Sequence, residues 1–181
     1  MHFNVSSFLS AQANENPDAK ALIYSYKPNF WSPSVYMDVS FKELDAMVDA
    51  VMHRFMSLGV TRGTRVLLMV KPGLDLIQIV FALLKIGAVP VVIDPGMGLG
   101  RFFECAKQSK VDAIVGGTVA ISLAKWFLRA HESVKKAITL DARFKASLKK
   151  HLGVVSYDAV EVGKDELAAV LFTSGSTGKA K

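Results

Sequence analysis

Three successive stretches decide the fold: Arg65–Val70 (RVLLMV), Leu74–Ile86 (LDLIQIVFALLKI) and Val89–Ile93 (VPVVI). The first and third are short and almost continuously apolar, a pattern typical of strands that are buried on both faces. The middle stretch is long enough for a helix and ends at a glycine, Gly87. The order predicts a strand–helix–strand unit with two parallel strands.

The same alternation continues on both sides of this unit. Further helices are predicted at Ser7–Asn14, Phe41–Leu58, Leu99–Ser109, Val119–Ala130 and Ala142–Lys150, and further strands at Ala21–Tyr26, Val35–Ser40, Ala113–Val115, Ala137–Leu140, Val154–Tyr157 and Ala168–Phe172. The pattern predicts an α/β fold in which a largely parallel sheet is flanked by helices on both faces. Glu161–Glu166 is too short to separate independent domains, so residues 1–181 are expected to form a single domain or part of one.

Composition excludes several classes of protein. Of the 181 residues, 51% are hydrophobic and 21% are charged, so a disordered chain is excluded. The net charge is +6, but the basic clusters Lys135-Lys136 and Lys149-Lys150 are small and are not interleaved with aromatic residues. Nucleic-acid binding is therefore not expected.

The sequence also predicts neither a membrane span nor a metal site. The longest apolar stretch, Leu74 to Ile93, carries Asp75 and Lys85 and is interrupted at Gly87, which fits a helix followed by a strand. The histidines have no metal-ligand spacing. The one cysteine, Cys105, is expected on the buried side of a helix, and no signal peptide is visible, which together predict a cytoplasmic protein.

The residues Thr173–Lys181 (TSGSTGKAK) follow a predicted strand and are suited to binding a polyphosphate. The two glycines, Gly175 and Gly178, keep side chains away from phosphate oxygens. Hydroxyl groups and backbone N–H groups can wrap an anion, and Lys181, with Lys179 less strongly indicated, supplies positive charge.

This stretch differs from the P-loop of ATPases and GTPases, which requires Gly, four residues, Gly-Lys and then Ser or Thr. Thr173 stands where the first glycine should be, and Ala180 follows Lys179. From the residues alone, a flexible polar loop and a phosphate-binding loop remain equally open.

Three segments together resemble the adenylate-forming (AMP-binding) superfamily, which includes acyl-CoA synthetases, peptide-synthetase adenylation domains and luciferases. Phe172–Lys181 is similar to the signature loop of this superfamily, with Ala180 in place of the usual proline. Phe81–Pro95 resembles the Leu-Lys-Ala-Gly-Ala…Pro-Leu-Asp-Pro motif, and Val39–Leu44 resembles the Thr-Tyr-any-Glu-Leu motif. The three matches occur in the family order.

The resemblance implies a carboxylate-activating ligase that uses ATP with Mg²⁺. A carboxylate attacks the α-phosphate to give an acyl-adenylate and pyrophosphate, and a thiol such as CoA or an internal hydroxyl then displaces AMP. The resemblance assigns the β- and γ-phosphates of ATP to one set of residues: Thr173, Ser174, Gly175, Ser176, Thr177, Gly178 and Lys181. No catalytic residue and no metal ligand is expected within residues 1–181.

The family parts that bind Mg²⁺ and ribose, and the mobile C-terminal domain, would follow residue 181. The chain is therefore expected to be the front part of the large N-terminal domain of such an enzyme and to be inactive alone. Two alternatives stay open: a self-sufficient nucleotide- or phosphate-binding module, and an interaction protein derived from the superfamily.

The glycine cluster Asp94–Gly100 follows a strand and precedes a helix, but Arg101 prevents a Gly-any-Gly-any-any-Gly dinucleotide pattern. The Pro-Gly-Met-Gly within it resembles a fatty-acyl branch of the family that includes the β-lactone synthetases of bacterial olefin biosynthesis. We expect Asp94-Pro95 to shape a turn, and Arg101 is a minor candidate for contacting an acyl or CoA group. The carboxylic acid substrate is left undefined, with a fatty acyl chain as one candidate.

Overall fold

The computed structural model describes residues 3–27, 31, 33–128 and 134–172. The helices in these residues are α1 (Ser6–Glu15), α2 (Phe41–Ser57), α3 (Leu74–Ile86), α4 (Leu99–Gln108), α5 (Thr118–Leu128) and α6 (Ala142–Lys149). The strands are β1 (Lys20–Tyr26), β2 (Val35–Ser40), β3 (Arg65–Met69), β4 (Val89–Ile93), β5 (Ala113–Gly116), β6 (Lys136–Thr139) and β7 (Val170–Phe172). A 3₁₀ turn at Pro95–Met97 precedes α4.

The main sheet has five strands in the order β6-β5-β3-β4-β7, and each neighbouring pair is parallel. The predicted strand–helix–strand unit is confirmed, since β3 pairs with β4 in the register Arg65↔Val89. Strands β1 and β2 form a separate antiparallel pair that precedes α2 in the sequence. The α/β fold class predicted from the sequence is therefore confirmed.

Helices cover both faces of the sheet because alternate strand residues enter two different cores. On β3, Val66 and Leu68 join a core built with α1, α2, α3 and α6, whereas Leu67 joins a second core built with α4 and α5. The same alternation on β5 places Val115 in the first core and Ile114 in the second. This two-sided burial explains why the strands read as continuous apolar runs.

Helix α2 begins at the predicted residue, Phe41, and ends at Ser57, one residue before the predicted Leu58. Ser40 Oγ accepts a hydrogen bond from Glu43 N, and Ser40 N donates to Glu43 Oε2 at 2.8 Å, and the two bonds form a capping box. The hydrogen bond from the Ser40 backbone lowers the pKa of the Glu43 carboxyl. Gly59 follows the last turn with a φ of 77°, a left-handed conformation that ends the helix.

One predicted strand, Val154–Tyr157, is wrong. The chain turns there, and Val154 N and Val155 N both donate to His151 O instead of to a neighbouring strand. Tyr157 is held by its side chain, whose hydroxyl lies 2.5 Å from Nδ1 of His53 on α2. The β-branched residues gave a strand-like pattern, but tertiary contacts determined the local structure.

Gly87, which ends α3, offers a prediction with a matched control. Gly87 and Gly63 both have a φ of 77°, but a Cβ at Gly87 would lie 2.8 Å from Val160 Cγ2, whereas one at Gly63 would meet nothing within 4 Å. We expect Gly63→Ala to cost about 1 kcal/mol of unfolding free energy through backbone strain. Gly87→Ala should cost about 1–3 kcal/mol more because of the contact with Val160. Urea unfolding measures both, and equal losses would contradict this packing.

Candidate functional site

The carboxyl ends of the parallel strands all lie at one edge of the sheet, and the strand order reverses there. The chain passes from β3 through α3 to β4 on one side, and then through α4 to β5 on the other side of β3. Ligands of open α/β sheets bind outside the carboxyl ends of the strands at such a switch point. The fold therefore indicates the ends of β3 and β5 as a binding region.

A cleft of about 720 Å³ lies at this switch point. Its walls come from the end of β3, the first turns of α4 and α5, and the end of β6. The lining residues are mostly apolar: Met69, Val70, Lys71, Asp75, Pro95, Leu99, Phe102, Gly117, Thr118, Val119, Ala120, Leu123 and Leu140. Its size and lining suit an organic ligand with an extended apolar part.

The polar groups of the cleft lie toward the α3 and α5 helices. Asp75 is held by Lys145, whose Nζ lies 2.9 Å from Asp75 Oδ2. Lys71 is exposed and lies two residues after the end of β3, and Thr118 begins α5. A cation and a helix N-terminus both favour a negatively charged group on the ligand.

Asp94 connects this edge to the end of β7. Its Oδ1 accepts a hydrogen bond from Gly96 N at 2.8 Å, which closes the turn before α4. Its backbone N donates to Phe172 O at 3.2 Å, so the turn lies beside the last residue of β7. The Asp94-Pro95 pair thus shapes the turn, as expected from the sequence.

Cys105 and Arg101, both on α4, differ in their surroundings. Cys105 is buried, and its Sγ lies 3.9 Å from Met97 Sδ. Burial, with a further contribution from Glu104, raises the pKa of the Cys105 thiol, which disfavours a nucleophilic thiolate. The packing role predicted for Cys105 is confirmed. Arg101 is exposed and does not line the cleft.

The seven predicted phosphate-binding residues, Thr173, Ser174, Gly175, Ser176, Thr177, Gly178 and Lys181, lie outside the described residues. The structure reaches Phe172, the residue from which the chain enters this stretch. Neighbouring strands lie about 4.8 Å apart, so the end of β7 is about 10 Å, two strands, from the end of β3.

Sequence reasoning missed the cleft residues Lys71 and Thr118 and the buried ion cluster of Lys85. Lys71 lies two residues after β3 and Thr118 lies two residues after β5, but these positions indicate a shared site only when the strand order is known. Lys85 Nζ lies 2.5 Å from Asp49 Oδ1 and 3.1 Å from Asp45 Oδ1, linking α3 to α2. The signal for Lys85 is a cation between apolar residues of a helix.

Among residues 3–27, 31, 33–128 and 134–172, no three His, Cys, Asp or Glu side chains are grouped in a way that could hold a metal ion. The helices in this part of the chain are too short or too polar to cross a membrane.

The cleft at the switch point of a parallel sheet with helices on both faces defines an open α/β protein of the class that binds ligands at the carboxyl ends of its strands. The chain belongs to the AMP-binding enzyme family, whose model matches residues 9–181.

The olefin beta-lactone synthetase of Xanthomonas campestris pv. campestris is 31% identical over 98% of this chain and 33% of its own length. The olefin beta-lactone synthetase of Stenotrophomonas maltophilia is 30% identical over 98% of this chain and 34% of its own length. The chain thus spans about a third of the length of these curated relatives.

The inhibitor-bound N-terminal domain of FACL13 from Mycobacterium tuberculosis superposes with a TM-score of 0.78 over 100% of this chain and 43% of that domain. Its identity is 22%, so this likeness supports the fold alone.

Proposed function

We propose that this chain is the front part of the large domain of an ATP-dependent, carboxylate-activating ligase that forms an acyl-adenylate. On this proposal, residues 1–181 form a single partial domain, and the mobile C-terminal domain belongs to a later part of the protein. Membership of the AMP-binding enzyme family and coverage of a third of the relatives support this. The single buried cysteine supports a cytoplasmic location.

The observation that carries the proposal is where the chain leaves the sheet. Phe172 ends β7 beside Asp94, at the same edge that holds the apolar cleft. Phe172, which directly precedes Thr173–Lys181 in the sequence, therefore lies about 10 Å, two strand spacings, from the end of β3, which lines the cleft. One bound acyl-adenylate is long enough to span such a distance. The proposal assigns the phosphates of MgATP to Thr173, Ser174, Gly175, Ser176, Thr177, Gly178 and Lys181.

The chemistry of the proposed step is a displacement at phosphorus. A carboxylate oxygen bonds to the α-phosphorus while the bond from that phosphorus to the bridging oxygen of pyrophosphate breaks, and pyrophosphate leaves with the electron pair. Such a step depends on positioning and on neutralising charge. Hydroxyl donors, amide N–H groups and the Lys181 ammonium provide both without becoming covalently bound.

The apolar cleft supports a carboxylic acid with a hydrophobic tail as the substrate. Leu99, Phe102 and Leu123 form apolar walls, and Lys71 lies at the same cleft as a cation for an anionic group. A fatty acyl chain, an aryl acid and a β-hydroxy acid all match this description. The similarity to β-lactone synthetases favours the fatty-acyl classes, and CoA or an internal hydroxyl is the proposed acceptor.

The proposal is tested by carboxylate-dependent exchange of labelled pyrophosphate into ATP. We expect no exchange by the 181-residue chain and exchange by the product of its gene read past Lys181. Fatty, aryl and β-hydroxy acids supplied in turn identify the substrate class. Saturable, tight ATP binding by the 181 residues without exchange would favour a self-sufficient binding module, and exchange by the 181 residues would contradict the proposed division of the protein.

A further inference from the structure

A buried asparagine joins three separate parts of the chain. Asn4 Nδ2 donates to Leu84 O at 2.8 Å, near the end of α3, and to Val160 O at 2.9 Å, in the segment that leads to β7. Its Oδ1 accepts from Ser6 N at 3.1 Å and from Ser6 Oγ at 2.7 Å. Asn4 is 4% exposed and Ser6 is 1% exposed, so these bonds form away from water.

The orientation of the Asn4 amide is fixed by Ser6. Both donors of Ser6 point to the amide oxygen, which turns the NH₂ group toward the two carbonyl oxygens. Losing the hydrogen bonds of an amide group that is itself buried is costly. The carboxamide therefore holds Val160 to the end of α3 in one orientation.

The segment from Val160 to Glu166 is held mainly by such polar contacts. Val160 N donates to Lys85 O at 2.9 Å, and the Arg62 guanidinium binds the Glu166 carboxylate. A cavity of about 190 Å³ lies between this segment, the amino terminus and the end of α3. Val160 itself packs against Gly87, whereas the rest of the segment borders the cavity, so there the polar anchors contribute more to its position than close packing does.

The pairing of strand β7 with β4 is short, so the strand alone does little to determine its register. In the part of the chain that the structure describes, three residue pairs join β7 to β4, from Val91↔Val170 to Ile93↔Phe172. A short parallel pairing specifies its register weakly, and a shift of one residue would reverse the two faces of the strand. Glu166 comes four residues and Val160 ten residues before Val170, so the two anchors together restrict where β7 can begin.

We propose that Asn4 is a positioning residue that sets the register of β7 against β4. It does so by fixing Val160, and it thereby sets where the chain leaves the sheet at Phe172. The consequence for ATP rests on the proposed function, whereas the effect on β7 does not.

Hydrogen–deuterium exchange of the 181-residue chain tests the effect on β7. Asn4→Asp keeps the shape of the side chain but removes both donors, and Asn4→Ala removes the side chain. We expect the amides of residues 167–172 to exchange about tenfold faster or more in both variants. Ser6→Ala keeps Asn4 but loses one of the two donors that orient it, so it should give a smaller change. It is the variant to measure if the Asn4 variants do not fold.

Ser109→Ala is the matched control because Ser109 is 4% exposed, like Asn4, and its Oγ donates to Cys105 O at 2.7 Å at the end of α4. We expect it to leave exchange at 167–172 unchanged. Wild-type exchange at these amides in Asn4→Asp would overturn the inference. So would an equal rise in Ser109→Ala, which would indicate general destabilisation.

The second measurement is the KM for MgATP in the gene product read past Lys181. We expect Asn4→Asp to raise this KM about fivefold to tenfold while kcat changes less, because displacement of the loop start weakens phosphate binding. An unchanged KM with faster β7 exchange would overturn the link to ATP. If the wild-type protein shows no ATP-dependent reaction, the proposed function fails, and the exchange data alone decide the role of Asn4.

Discussion

Replacing Lys181 with alanine should lower carboxylate-dependent pyrophosphate exchange by about 10²- to 10³-fold in the gene product read past Lys181. The proposal makes Lys181 the cation that offsets the charge of the β- and γ-phosphates while pyrophosphate forms. Removing a group that stabilises charge in the transition state lowers kcat. Removing its contact with the phosphates of the bound ATP also raises KM.

Lys179→Ala is the matched control. It removes the same charge at a position that lies two residues before Lys181 and that the signature pattern leaves variable. We expect it to change exchange by less than about tenfold, and Thr177→Ala to fall between the two lysine variants. Equal, measurable exchange by Lys181→Ala and wild type would remove Lys181 from the mechanism, whereas no exchange by the wild type would favour a non-catalytic descendant of the family.

Replacing Lys85 with methionine should cost about 3–5 kcal/mol of unfolding free energy near neutral pH. The Lys85 side chain is 1% exposed and the Asp49 side chain is 3% exposed, so the substitution leaves a buried carboxylate without its cation. The exposed pair Lys145–Asp75 is the matched control, with side chains 57% and 50% exposed. Lys145→Met should cost about 0–1 kcal/mol.

The loss in Lys85→Met should depend on pH. Burial raises the pKa of the Asp49 carboxyl, against the opposing effect of Lys85, and removal of Lys85 should raise it further. A raised pKa means that the folded chain binds a proton more readily than the unfolded chain, so stability falls as the pH rises through that pKa. Urea unfolding should therefore show a larger loss at about pH 8 than at about pH 5. A loss independent of pH would contradict an ionised, unpaired Asp49 in this variant.

The sequence predicts the elements better than their arrangement. Apolar runs such as Arg65–Met69 identify buried strands because both of their faces must leave water. The strand order, and with it the cleft beside Lys71, depends on which strands pair across the fold, which no local pattern encodes. The Val154–Tyr157 stretch shows the reverse case, in which a strand-like pattern was overridden by the contact between Tyr157 and His53.

The candidate site shows the same division. The phosphate-binding role of Thr173–Lys181 stays a prediction, because the residue types alone leave a flexible polar loop equally open and only the family resemblance favours phosphate binding. Asn4 was not recognised, because a single polar residue near the amino terminus carries no periodic signal. Its importance follows from burial and from its two carbonyl partners, which only the folded chain brings together.

The central claim is that the parent protein joins a carboxylate oxygen to the α-phosphorus of ATP. Mass spectrometry of the AMP formed from an ¹⁸O-labelled carboxylic acid tests this most directly, with the gene product read past Lys181 and a thiol acceptor. When the acyl group is transferred, the bridging oxygen leaves with AMP, so the account predicts AMP that carries one ¹⁸O atom. Unlabelled AMP, or ADP and labelled phosphate in place of AMP, would contradict it.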